Sequence, residues 1–181
     1  LVKPSVGAWV LYGLGSENQN LPGFVALGGG LGGSQNWRSA FLPGAFQGTL
    51  VSNVSTSPEK IIENIKSHHA TLPEQREQLD LLKQLNEKHS ENLKREAPLE
   101  ARIQSFELAF KMQTEATDAF DSSKEPQNIR DSYGDTDMGR RMLVARRLVE
   151  RGVRFVEVWG GGWDHHSNLE TALRRQATTI D

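Results

Sequence analysis

Cysteine is absent from the 181-residue chain, which removes disulfides, thiolate metal ligands and cysteine nucleophiles while leaving the redox compartment open. Any metal must therefore be held by His, Asp or Glu. Neither sign of charge is in excess, 21 Lys+Arg standing against 23 Asp+Glu. No global field is available to recruit nucleic acid or an anionic membrane surface. No stretch approaches the roughly 18 consecutive apolar residues of a membrane span, and the opening LVKPSVGAWV lacks the basic start and cleavage site of an export signal. A GxSxG elbow is missing as well, and no serine stands beside an evident base, so no self-contained nucleophile is expected in this stretch.

The length suits one domain with a real core. The chain starts without Met and ends at ATTID inside a helical pattern, as an internal fragment of a longer protein would. Its composition divides it into parts. Residues 1–57 hold most of the 17 glycines and few charges, which predicts extended pieces joined by loops. Within them VGAWVLYGLG (6–15) and GFVALGGG (23–30) each read as a buried strand feeding a glycine turn. GGGLGGSQNW (28–37) is glycine-rich, but it lacks the GKS or GKT ending of a phosphate loop and the spacing of a dinucleotide fingerprint.

Residues 58–120 are charged and helical. Ser57-Pro58-Glu59 reads as a helix start, and Leu72-Pro73-Glu74 repeats the signal. Leu79, Leu82, Leu85, His89 and Leu93 then recur at helical spacing, with His89 expected as a hydrogen-bonded core histidine. After Pro98 a second amphipathic pattern, Leu99, Ile103, Phe106, Phe110 and Gln113, predicts an antiparallel partner for that helix. Residues 121–139 are polar and turn-rich, hence an exposed connection. From 138 to 181 the order is helix, strand, loop, helix. Arg151-Gly152 closes the first helix, VRFVEVW (153–159) is the strand, and SNLETALRRQ opens the last helix. Helix, glycine and apolar strand form the second half of a βαβ unit, so the fold class is α/β with a helical hairpin inserted.

Chemistry concentrates just past that strand, in WGGGWDHHSNLE (159–170), where open α/β sheets place their ligands. Asp164, His165 and His166 are residue types that ligate a divalent ion. Neighbouring residues seldom face one point, so Asp164 and His166 are the better pair, leaving His165 to orient a ligand or touch substrate. The competing reading makes Asp164 a cap for the following helix, a role that Ser167 or Asn168 could fill equally well. His68 and His69 sit at a helix end, where imidazole meets the dipole favourably. Trp9, Trp37, Trp159 and Trp163 are expected to pack in the core, and Arg140-Arg141 and Arg146-Arg147 to be solvated.

KPSVGAWVLYGLGSENQNLPGFVAL (3–27), FLPGAFQGT (41–49), LEARIQSFELAFKMQ (99–113) and ARRLVERGVRFVEVWGGGWDHHSNL (145–169) together resemble the DUF1501 family, sulfatase-like bacterial proteins of the alkaline-phosphatase superfamily. The resemblance runs over nearly the whole chain in matching order. It implies part of an α/β sandwich, an exported parent, and a metal-dependent hydrolase acting on sulfate or phosphate esters, small or polysaccharide. It also implies a divalent ion, zinc or calcium, with Asp164 and His166 as ligands, and His165, Asn168 and Trp163 nearby as supporting or substrate-contacting residues. The nucleophile and the remaining ligands would lie outside this chain, which alone would be inactive. One departure stands out: the phosphatase pattern places a histidine four positions after its aspartate, and here that position is Asn168. The alternative implied by this departure is a non-catalytic protein that keeps the fold as a scaffold or polysaccharide binder.

Overall fold

The computed structural model describes residues 2–29, 33–54, 70–92 and 97–180. The helix expected from Ser57 and the His68-His69 pair lie outside the described residues. At the centre is a three-stranded parallel sheet of β1 (Phe24–Leu27), β2 (Thr49–Val51) and β3 (Phe155–Val158), in the order β2-β1-β3. Phe24 to Leu27 lie opposite Phe155 to Val158 in register. β1 is buried at every position, as an all-apolar run must be when helices cover both faces of a parallel sheet.

Alternation along β1 builds two cores. Val25 and Leu27 join Val51, Phe120, Val144 and Leu148 on one face, while Phe24 and Ala26 meet Leu11, Trp37 and Phe155 on the other. Burying each large side chain of this kind stabilises the fold by about 1.5–3 kcal/mol. The first face is covered by α3 (Ala97–Phe120) and α5 (Asp137–Glu150), the second by α1 (Val6–Leu14). α2 (Leu72–Asn92) packs on α3, and α6 (Leu169–Ile180) follows the β3 loop.

The α/β character, the strands at 24–27 and 155–158 and the pairing of the two long helices agree with the sequence. Gly152, at φ 84°, takes the left-handed cap conformation expected of it. Several expectations do not survive. Residues 6–14 form a helix, not a strand: the Ser5 hydroxyl accepts from Ala8 N–H at its start, and Gly15, at φ 68°, ends it. An apolar run of nine residues satisfies either periodicity, and these end residues decide it. The 121–139 connection contains α4 (Gln127–Tyr133), held against α5 because Gly139 lets the backbones touch.

His89 is exposed, and so is Leu85, because α3 faces the side of α2 that carries Gln75, Leu79, Leu82 and Asn86. On α3 the buried residues include Ile103, Met112 and Ala119, while Phe106 stays 44 % exposed. Trp9 and Trp163 are also open to solvent. Trp9 instead stacks edge-on with Tyr12 and Phe41, both themselves exposed.

Arg147 is buried, not solvated. It donates to the carbonyls of Asp118 and Ala119 and to Glu125, closing the C-terminal end of α3. Arg140 is held by Asp135 and Asp137, each at 2.5 Å, and Arg146 by Glu150 at 2.8 Å. Helix-surface spacing accounts for Asp137 and Glu150, which lie three and four positions from their arginines, whereas the partners of Arg147 come from other elements.

Candidate functional site

In a parallel sheet ordered β2-β1-β3 the chain leaves β1 toward β2 and later returns to the other side of β1. The gap beyond the carboxyl ends of β1 and β3 is therefore the topological switch point, where open α/β sheets bind ligands. Two loops meet there, one entered through Gly28 and Gly29, the other running from Trp159 to Asn168. The second is tied down at its root. Trp159 N–H donates to Leu27 O at 2.9 Å, and Arg141 Nη1 donates to Trp159 O at 2.9 Å. From its far side Gln176 of α6 donates to Gly161 O at 2.7 Å.

Gly28 meets two demands at once. Its φ is 84°, and an added Cβ would come 2.9 Å from Arg141 Nη1. A side chain would be strained there and would displace the guanidinium.

Asp164 and His166 meet at the outer part of the loop, His166 Nε2 lying 3.1 Å from Asp164 Oδ2. Both side chains stand open, 82 % and 85 % exposed. The contact joins residues two apart in an irregular segment, which lets their side chains converge while His165 between them diverges. His165 is half-buried, and its Nε2 is sealed from water without a hydrogen-bond partner. Trp163 is exposed beside them, and Asn168 adopts a left-handed φ of 49° just before α6.

Asp164 does not cap the following helix, whose N-cap position is held by Asn168. α6 begins with Ala172 N–H donating to the backbone carbonyl of Asn168, and Asp164 contacts His166 instead of a helix amide.

Two donors at about 2.0–2.1 Å from a tetrahedral ion lie about 3.3 Å apart. The 3.1 Å between Asp164 and His166 is close to that spacing, and a carboxylate with an imidazole is a suitable donor set. Among the described residues, however, no group of three or more His, Asp or Glu is placed to hold a metal ion.

Two residues escaped the sequence reading. Glu157, inside β3 and opposite Ala26, has a carboxylate oxygen buried without a partner, an unfavourable state unless a cation or donor satisfies it. A lone acid within the apolar run VRFVEVW was the available signal. Arg141 gave no such signal, since only the packing of α5 on β3 brings it to the loop.

A second concavity of 610 Å³ lies between α2 and α3, with Arg76, Asp80, Lys83, Glu107 and Lys111 in its wall. Acids and bases interleave there, so no charge of one sign selects a ligand.

The model of the DUF1501 family, described as a protein of unknown function, matches residues 1–181. No curated protein and no solved structure matches the chain.

Proposed function

Taking as premise that this chain belongs to the DUF1501 family of proteins of unknown function, we propose that it contributes part of the site of a metal-dependent hydrolase of sulfate or phosphate esters. Its sheet would be part of an α/β sandwich of the alkaline-phosphatase kind, in an exported parent protein. The observation that carries this reading is the Asp164–His166 contact on the loop beyond the carboxyl end of β3. The two residues would hold one side of a divalent ion. Imidazole among the donors favours zinc over calcium, whose ligands are oxygens. When bound, such an ion polarises the ester oxygen and stabilises developing negative charge.

The chain's own residues have separate tasks. Asp164 and His166 bind, and the hydrogen bonds at Trp159 and Gly161 orient the loop that carries them. His165 Nε2 and Glu157 Oε2, both buried without partners, are groups that an ion, a water or a substrate hydroxyl would satisfy. Trp163 offers an exposed ring against which an ester substituent or a sugar face can pack.

The test is made in the full-length protein with Asp164→Asn and His166→Ala. Metal content by mass spectrometry should fall, and turnover of aryl sulfate or aryl phosphate should drop by about 100-fold or more. Unchanged metal and turnover in both variants would sink the reading. The absence of a three-residue ligand group among the described residues favours a second reading, a non-catalytic binder of sulfated polysaccharide. Tight polysaccharide binding without metal and without turnover would select it.

A further inference from the structure

We propose that Arg141 is an anion-binding residue of the switch point, donating to a tetrahedral oxyanion, sulfate or phosphate, held between the loops that follow β1 and β3. The inference starts from where the side chain is placed. Its Nη1 donates to the carbonyl of Trp159, the first residue past β3, and lies against Gly28, the first residue past β1. One guanidinium thus touches both walls of the gap in which open α/β sheets bind ligands.

Among the described residues no carboxylate pairs with its charge. Arg140, the preceding residue, spends its guanidinium on Asp135 and Asp137. Arg141 makes one hydrogen bond, to a neutral carbonyl, and no ion pair among the described residues. Its remaining donors are not sealed from water, so a planar fork of N–H groups is left for a ligand. The loop's own carboxylate does not fill that role, because Asp164 is directed at His166. A half-buried cation of this kind binds oxyanions more strongly than a surface lysine, since part of its hydration is already lost and its fork matches two oxygens at once.

The helix that carries it borders the same loop: α5 starts at Asp137, and the Met138 side chain in its first turn lies against Gly160. The inference deepens the ester-hydrolase reading and rests on it only for the identity of the anion.

The experiment titrates inorganic sulfate and inorganic phosphate separately into the full chain by calorimetry at fixed ionic strength. Arg141→Gln should raise Kd for the preferred anion by about 10- to 100-fold, the loss expected for a hydrogen-bonded charged contact. Arg141→Lys should recover part of it, because it keeps the charge without the fork. If Arg141 only clips α5 to the loop, Arg141→Gln lowers Tm while Kd stays the same. That result overturns the proposal, as does failure of the unsubstituted chain to bind either anion at millimolar concentration. Should Arg141→Gln not fold, Arg141→Lys decides alone: a Kd at least about threefold weaker supports the proposal, and an unchanged Kd overturns it.

The double variant Asp164→Asn/His166→Ala, with chelator present, separates the two readings. Arg141-dependent anion binding that persists there stands even if the hydrolase reading fails. Conversely, metal retention and turnover that depend on Asp164, without Arg141-dependent binding, leave the hydrolase reading standing and remove this one.

Discussion

Arg147 and Glu125 form an ion pair inside the fold, their side chains 4 % and 12 % exposed. The same guanidinium donates to Asp118 O at 2.8 Å and Ala119 O at 3.2 Å, carbonyls in the last turn of α3, the first of which also accepts from Asp121 N–H. One side chain thus caps a helix, neutralises an acid and joins α3 to α5. Arg147→Met leaves the nearly buried Glu125 with only the 3.6 Å contact to Arg146, and unfolding in urea should show a loss of about 3 kcal/mol. Arg147→Met combined with Glu125→Leu should recover a clear part of that loss. A double variant no more stable than the single one would contradict the argument.

Gly139 marks the place where α5 touches the chain ahead of it. A Cβ there would lie 1.9 Å from the backbone oxygen of Tyr133, and a backbone oxygen cannot swing aside as a side-chain end can. Gly139→Ala should cost about 3 kcal/mol, lowering Tm by roughly 6–12 °C in a chain of this size. Gly13→Ala is the matched control, because nothing lies within 4 Å of its added Cβ. It replaces a glycine inside α1 and should gain about 0.5–1 kcal/mol. Equal melting temperatures for the two variants would refute the close-contact account.

Acid should loosen the end of α3 at Asp118. Hydrogen bonds from Lys124 and Arg151 hold its carboxyl down from the ordinary 3.8 to about 2. A pKa lower in the folded state means that the stabilisation is complete above 3.8 and disappears as pH falls from there to about 2. Asp118→Asn removes that contribution. Urea midpoints of variant and parent should therefore differ at pH 7 and converge near pH 2. A constant difference across that window would rule Asp118 out.

The α2–α3 hairpin depends on Arg76, which reaches Glu107 with two nitrogens, at 2.8 and 2.7 Å, and Asp80 at 2.7 Å. It also stacks 5.4 Å from the centre of the Phe110 ring. These contacts are partly exposed, so Arg76→Ala should cost only about 1 kcal/mol. Arg76→Lys should restore little, since lysine has neither the fork nor the flat face. Full recovery by lysine would show that charge alone matters.

For the functional loop, Glu157→Gln is informative because it keeps the shape of a buried group and removes its charge. If a cation satisfies Glu157 Oε2, the substitution should weaken metal retention in the full-length protein by about 10-fold or more, with little change in Tm. A rise in Tm with unchanged metal content would mean that the buried carboxylate is only an unpaired cost.

Local patterns in the chain determine much of this molecule. FVAL and VRFVEV read as strands because each is a short β-favouring run bounded by glycine. The long helices follow from Leu72-Pro73-Glu74 and Pro98, and the candidate site from DHH in the loop that follows a strand. What tertiary structure alone decides is which face of an element meets which neighbour. That choice buries Arg147, exposes His89 and Trp163, and carries Arg141 from a nominally solvated helix face to the carbonyl of Trp159. Strand and helix formation are governed by residues a few positions apart, which sequence displays directly. The anchoring of the site depends on contacts distant in sequence: Arg141 meets Trp159, 18 positions on, only once α5 packs on β3, and Trp159 meets Leu27 only once β1 and β3 lie side by side.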